Sequence, residues 1–262
     1  MEGETVLITG ANGFLGKHMV DLFLSKGAVV IATDLSANYS WKLIKNYDKF
    51  HYFKMDITDI NQVIFTFDLI YEQCIFPNTI INNAAINPKI ENDNITTMSR
   101  LENYDLVGWN KEISVGLTGA FIVTKSYVDI LLRNNLKGNI VNIASDLGVI
   151  APDQRLYSRS TDDKLRAAVK PVSYSVIKHG LIGLTKYLAT YNPELIRANS
   201  ISPGGFYNGQ DQEFIDKLIK LIPQGRMAEL KDIDGVLLLL CRAGSEYITG
   251  QNIIVDGGRS IW

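Results

Sequence analysis

Thr5-Val6-Leu7-Ile8-Thr9 runs directly into Gly10-Ala11-Asn12-Gly13-Phe14-Leu15-Gly16, and a helical pattern begins at once, over about 14–26. An apolar run that ends in glycines and opens a helix is the first unit of a doubly wound α/β sheet. Glycines at this place allow a tight turn, close approach of backbone to a pyrophosphate, and close packing of helix on sheet. The helix start adds unpaired N–H groups that face a phosphate. The turn therefore points to a bound dinucleotide, with Gly10, Asn12, Gly13, Phe14, Leu15 and Gly16 as its contacts; the competing reading is a glycine turn without a ligand.

Outward from this turn, short β-branched runs alternate with longer helical patterns. Strands are expected at Thr5–Thr9, Val29–Asp34, His51–Met55, Thr79–Asn82, Asn139–Ile143, Arg197–Ile201 and Asn252–Val255. Helices are expected at about 14–26, 40–46, 59–75, 101–133, 173–191, 211–220 and 230–241. Several strands are apolar without alternation, as in a parallel sheet covered on both faces. The expected architecture is a Rossmann-like, seven-stranded parallel sheet with helices on both faces, one domain over 1–262. One irregular polar segment, Ala151 to Pro171, interrupts the pattern between a strand and a helix. Loops at the carboxyl ends of strands often build ligand sites, so it is expected on the substrate side.

The composition narrows the function classes. A net charge of -2 argues against a nucleic-acid binder, and 46% hydrophobic residues can supply a core. No run reaches the ~18 apolar positions of a membrane span, and no secretory signal is visible before the first strand. Cys74 and Cys241 lie far apart, as reduced residues of a cytoplasmic protein would. His18, His51 and His179 are scattered, so neither a metal site nor a Ser-His-Asp arrangement is expected.

Two further positions carry chemistry. Asp34 ends the second strand, where a carboxylate can accept hydrogen bonds from the adenosine ribose and would repel a 2′-phosphate. No Arg or Lys stands within the glycine turn or directly after Asp34, so the expected cofactor is NAD. Tyr174 and Lys178, in Tyr174-Ser175-Val176-Ile177-Lys178, fall on one face of a helix, one turn apart. A phenol with a pKa of about 10 is a poor acid or base at neutral pH. A neighbouring ammonium favours the phenolate, and roughly 4 kcal/mol would bring the pKa close to neutrality, at about 1.36 kcal/mol per unit.

With these residues in place, the chain resembles the short-chain dehydrogenase/reductase family, single-domain branch. Besides the glycine turn, the likeness rests on Asp56, Asn82-Asn83-Ala84-Ala85, Ile143-Ala144-Ser145, Tyr174 with Lys178, Asn199, Pro203-Gly204-Gly205 and Asp256-Gly257-Gly258, all in order. The resemblance implies that Ser145 hydrogen-bonds the substrate oxygen, Tyr174 passes the proton, and Lys178 lowers the tyrosine pKa and binds the nicotinamide ribose. It implies that Asp56 and Ile57 line the adenine site, that Asn83, Ala84 and Ala85 follow toward the ribose, and that Pro203, Gly204 and Phe206 flank the nicotinamide. Asn82 and Asp256 are expected to be structural.

Three departures from the family pattern stand out. The glycine spacing is commoner in the extended branch. The usual asparagine of the long fifth helix is absent; aligned on Gly119 and Phe121, its position holds Gly116. That residue's family role is to break the helix ladder so that its carbonyl holds a water leading to the lysine, and a glycine could preserve the break. Third, Ser145 and Tyr174 lie unusually far apart because of the 151–171 segment. Together these features are similar to a subgroup of flagellin-modification or nonulosonic-acid-pathway oxidoreductases, which implies a sugar or nucleotide-sugar alcohol oxidised to a ketone, or the reverse.

The inserted segment carries Arg155, Arg159, Lys164, Arg166 and Lys170 against Asp153, Asp162 and Asp163. Arg155 and Arg159 are the candidate grips for a substrate phosphate, with Tyr157 and Tyr207 as stacking platforms. A solvated charged loop is the competing view. The alternatives in function are a reductase of a ketoacyl thioester or steroid-like carbonyl, and a non-catalytic NAD sensor; the retained Ser145, Tyr174 and Lys178 speak for the enzyme. Exposed apolar helix faces suggest a homodimer or homotetramer.

Overall fold

The computed structural model describes residues 1–40, 47–86, 98–158 and 167–262. Its strands are β1 (Thr5–Thr9), β2 (Val29–Asp34), β3 (Phe50–Lys54), β4 (Thr79–Asn82), β5 (Gly138–Ile143), β6 (Ile196–Pro203) and β7 (Asn252–Val255). They form one parallel sheet in the order β3-β2-β1-β4-β5-β6-β7. The order reverses between β1 and β4. In such a sheet a crevice opens beyond the carboxyl ends of the two strands at the switch point.

The described α-helices are α1 (Phe14–Ser25), α2 (Ile60–Glu72), α3 (Leu106–Ile113), α4 (Ala120–Asn134), α5 (Val172–Tyr191), α6 (Gln212–Leu218) and α7 (Asp234–Cys241). Two apolar layers hold them to the sheet. Val6 and Ile8 of β1 face Met19, Val20 and Phe23 of α1 and Leu237 and Leu240 of α7. Leu7, between them, faces Phe67 and Ile70 of α2 and Tyr127 and Leu131 of α4 on the opposite side. This is the period of a strand read out as two cores. Phe23, Phe67 and Tyr127 are fully buried, each worth roughly 1.5–3 kcal/mol in removed apolar surface. The Tyr127 hydroxyl meets its obligation by donating to the Pro77 carbonyl at 3.1 Å.

A polar ladder crosses the middle of the sheet. The Asn82 amide donates to Thr124 Oγ1 at 3.0 Å and to Asn142 Oδ1 at 2.8 Å, and the Asn142 amide donates to Thr185 Oγ1 at 2.8 Å. It ties β4 and β5 to α4 and α5, which is the structural part expected of Asn82.

The strands match expectation to within two residues at either end: β3 is shifted one residue earlier, β5 and β6 each start one residue earlier, and β6 runs on to Pro203. The helix expected over 40–46 lies outside the described residues, Ser40 excepted. The long helical pattern at 101–133 is not one α-helix. A 3-10 turn at Leu101–Asn103 precedes α3, and a π-helical turn, Ser114–Gly119, joins α3 to α4. The whole rod, Leu106–Asn134, is long and apolar enough to cross a bilayer by length and composition, yet most of its apolar stretch is buried in the protein, as in a core helix.

Candidate active site

A cavity of about 840 Å³ follows the carboxyl edge of the sheet, from the glycine turn and Asp34 at one end to Ser145, Tyr174 and Lys178 at the other. At the first end Gly10 has φ +66°, and a Cβ there would stand 2.7 Å from the Ala84 Cα, so the turn lies directly on the loop after β4. Gly16 sits beneath the turn instead of on the cavity wall; its Cβ would be 2.2 Å from the Gly10 carbonyl oxygen. Asn12 clamps the next loop: its N–H donates to Asp34 Oδ2 at 2.9 Å, its amide donates to the Tyr52 hydroxyl at 3.0 Å, and its Oδ1 accepts from the Ser40 N–H at 2.8 Å. Asp34 also accepts from the Ser36 N–H at 3.3 Å and remains on the wall.

Asp56 and Ile57 line the same end, Asp56 fixed by the Thr58 N–H (2.9 Å) and hydroxyl (2.7 Å). Asn83, Ala84 and Ala85 continue the wall, the Asn83 amide donating to the Thr9 carbonyl at 2.9 Å. Phe14 and Leu15 form one lip, and Pro203, Gly204 and Phe206 the opposite wall. A helix start under a glycine turn, a carboxylate at the β2 end and a cavity of this length fit a nicotinamide dinucleotide.

At the other end, α5 presents Tyr174 and Lys178 to the end of β5. The Lys178 ammonium donates to the Ile143 carbonyl at 2.8 Å and lies 5.6 Å from the centre of the Tyr174 ring. Ser145 follows β5 directly, and its hydroxyl donates to Asp146 Oδ1 at 2.8 Å. Asp146 is itself buried and joined to Arg259 Nη1 at 2.6 Å, with side chains 4% and 7% exposed. Asp256 holds Arg259 in place by accepting from the Gly258 N–H at 2.9 Å and the Ser260 N–H at 2.7 Å.

Two glycines bring these elements together. A Cβ on Gly148 would stand 2.8 Å from the Lys178 carbonyl oxygen, so the turn after Ser145 touches the α5 backbone. A Cβ on Gly116 would stand 2.8 Å from Ile177 Cγ2, so the π-helical turn leaves no room there for a larger residue. The break in the helix ladder is present without an asparagine side chain.

The electrostatics differ from expectation at one point. Burial pushes the Tyr174 phenol above its ordinary pKa, the Ser145 hydroxyl beside it pulls the value back down, and Asp146 adds to the rise. The expected net lowering by Lys178 is therefore not found. Burial instead holds the Lys178 ammonium down to about 8, with the charge of Lys170 adding to that. In both groups burial disfavours the charged form, which raises the phenol and lowers the ammonium.

A family model described as enoyl-(acyl carrier protein) reductase matches residues 10–260. The chain belongs to the short-chain dehydrogenase/reductase family. It is 30% identical over 271 residues to a 3-oxoacyl-[acyl-carrier-protein] reductase of Thermotoga maritima, covering 98% of each chain. It is 26% identical to a D-threitol dehydrogenase of Mycolicibacterium smegmatis, over 100% of this chain and 94% of the other. A solved short-chain dehydrogenase from Leptospira borgpetersenii with bound NAD+ superposes with a TM-score of 0.86 at 32% identity, over 100% of this chain and 94% of that one. This short-chain dehydrogenase/reductase is thus an oxidoreductase of CH–OH and keto groups that uses a nicotinamide cofactor.

On the substrate side this short-chain dehydrogenase/reductase departs from expectation. Arg155 is 88% exposed, off the cavity wall, and forks onto Asp153 at 2.9 and 2.7 Å. Tyr207 is 60% exposed and also off the wall. Arg159 lies outside the described residues. Tyr157 does line the cavity, packed on Phe214 at 5.6 Å between ring centres. The charged side chains that reach the wall there are others: Asp146, Lys170, Asp211, Glu213, Lys217 and Arg259. Lys170 had a visible signal as a cation shortly before Tyr174. The Asp146–Arg259 pair had none, because it joins positions far apart in the chain.

Proposed function

We propose that this chain is an NAD-dependent enzyme that interconverts a secondary alcohol and a ketone on a polar, sugar-like small molecule, within one catalytic domain. The observation that carries the reading is the convergence of Ser145, Tyr174 and Lys178 on one end of a cavity whose other end holds the glycine turn and Asp34. When bound, the nicotinamide supplies the hydride donor or acceptor. Ser145 hydrogen-bonds the substrate oxygen, and Tyr174 exchanges a proton with it. The resting phenol is protonated, so carbonyl reduction starts from the state held here. Oxidation needs the phenolate, which burial disfavours and the Ser145 hydroxyl partly favours.

NAD is favoured over NADP by Asp34. Among the described residues, the basic groups on the wall are Lys170, Lys178, Lys217 and Arg259, all toward the reaction end. A polar substrate is supported by Asn208, Gln210, Asp211 and Glu213, which line the cavity after β6, and by the likeness to a D-threitol dehydrogenase. The likeness to a 3-oxoacyl reductase supports the second reading, a ketoacyl thioester. Leu106, Val107, Phe121 and Val176 lie exposed on α3, α4 and α5, and support assembly into a homodimer or homotetramer, checked by light scattering.

The deciding experiment is a screen of sugars, sugar acids, sugar phosphates, nucleotide sugars and a 3-oxoacyl thioester, following NADH absorbance with Tyr174→Phe as the blank. Turnover with polyhydroxylated substrates, abolished in the blank, supports the proposal. Activity confined to the thioester, equal turnover by Tyr174→Phe, or a preference for NADP overturns the corresponding part.

A further inference from the structure

The Asn12 side chain lines the cofactor end of the cavity, yet its amide is spent on the protein itself. Its Nδ2 donates to the Asn38 carbonyl at 3.1 Å and to the Tyr52 hydroxyl at 3.0 Å. Its Oδ1 accepts from the Ser40 N–H at 2.8 Å and from the Ser40 hydroxyl at 3.0 Å. A primary amide has two N–H donors and two acceptor lone pairs, so this one has none left for a nucleotide. Every one of these bonds leaves the glycine turn for the loop after β2 or for β3.

That loop frames Asp34. Its Oδ1 accepts from the Ser36 N–H at 3.3 Å and its Oδ2 from the Asn12 N–H at 2.9 Å, so each carboxylate oxygen is held by a different stretch of backbone. The Tyr52 hydroxyl, which accepts from Asn12, passes its own proton to the Ser36 carbonyl at 2.8 Å. The Ser36 hydroxyl donates to the same Asn38 carbonyl at 3.1 Å. Tyr39 anchors the loop from below, its ring centre 4.9 Å from Phe50 and 5.6 Å from Tyr52. Asn12 thus ties the glycine turn, the loop and β3 into one rim around the carboxylate.

We propose that Asn12 is a positioning residue for cofactor choice. By fixing the loop at 36–40 it keeps the Asp34 carboxylate on the cavity wall, where it accepts from the ribose hydroxyls of NAD and repels the 2′-phosphate of NADP. The proposal rests on the reading of Asp34 as the group that selects NAD. Selectivity is a difference of two affinities, and a repelling charge contributes to it only while it cannot move aside. On a loosened loop the carboxylate can turn toward solvent and admit the phosphate. A loop ordered in advance also spares NAD the cost of ordering it on binding.

The test measures binding of NAD and of NADP by calorimetry in wild type, Asn12→Ala, Tyr52→Phe and Asp34→Ala; no substrate is needed. Wild type should bind NAD the more tightly. Asn12→Ala should narrow the NAD-to-NADP affinity ratio about tenfold, as several lost hydrogen bonds would. Tyr52→Phe removes only the hydroxyl between Asn12 and Ser36 and keeps the ring, so it should narrow the ratio about threefold. It decides the matter should Asn12→Ala fail to fold. A ratio that collapses in Asp34→Ala but stays at the wild-type value in the other two variants overturns the proposal alone, and an equal fall in both affinities is the mark of a purely structural role. A wild type that prefers NADP or binds neither cofactor, or an Asp34→Ala ratio equal to wild type, overturns the parent reading and this one with it.

Discussion

Replacing Arg259 by Met should damage both stability and turnover, and the structure sets the size. The guanidinium answers Asp146 at 2.6 Å where both side chains are almost fully enclosed. Removing one partner of a buried pair costs about 3–5 kcal/mol, because the remaining charge is left uncompensated. Asp146 Oδ1 keeps two donors, the Ser145 hydroxyl and the Leu147 N–H, both at 2.8 Å, so the lower end of that range applies. A loss of about 3 kcal/mol corresponds to roughly 6–12 °C in Tm for a chain near this size. The carboxylate that directs the Ser145 hydroxyl would also lose its anchor, and kcat should fall about tenfold. The assay is a double-mutant cycle in urea with Asp146→Asn, whose neutral amide needs no counter-charge. The double variant should cost only about 1 kcal/mol, a coupling well beyond the ~0.5 kcal/mol scatter of independent sites. An Arg259→Met loss below 1 kcal/mol, or additive single variants, would refute the reasoning.

Other outcomes follow from the same geometry. Gly148→Ala places a methyl 2.8 Å from the Lys178 carbonyl oxygen, and neither backbone can give; kinetics should show kcat reduced at least tenfold, and unaltered kcat would count against that close contact. Gly116→Asn, which restores the usual family residue, should lower stability by about 1–3 kcal/mol by urea denaturation, because Ile177 occupies the space; a gain in turnover would show that the asparagine was merely missing. Lys178 has its folded pKa lowered to about 8 from 10.5, so between these values the unfolded chain binds more protons and stability rises with pH. Compared with Lys178→Met, the wild type should gain about 2 kcal/mol on going from pH 8 to 10; a constant difference would contradict it.

The parts of this molecule that could be read in advance are those set by neighbours in sequence. The glycine turn, the strand end at Asp34 and the Tyr174–Lys178 spacing are each decided within one or two turns of chain, and all of them reach the cavity. The polar segment after β5 also delivers Tyr157 and Ser158 to its wall. Arg155 went elsewhere because Asp153, two places before it, holds the guanidinium in solvent. The direction of the Tyr174 shift could not be read, since it depends on how completely the folded chain shuts out water. The Asp146–Arg259 contact spans 113 positions, and only the path of the sheet shows that the two meet. Gly116 was legible as a break in the helix, but the reason for its small size is Ile177 on another helix.

That same long-range contact imposes an order on biosynthesis. The ribosome delivers the nucleotide-binding half of the sheet first, and that half can begin to compact while translation continues. The hydroxyl at Ser145 acquires its support only after residue 259 has emerged from the exit tunnel. Chains that terminate early would retain most of the cofactor cleft while lacking a properly set reaction centre, so an abortive product could bind dinucleotide yet do little with it.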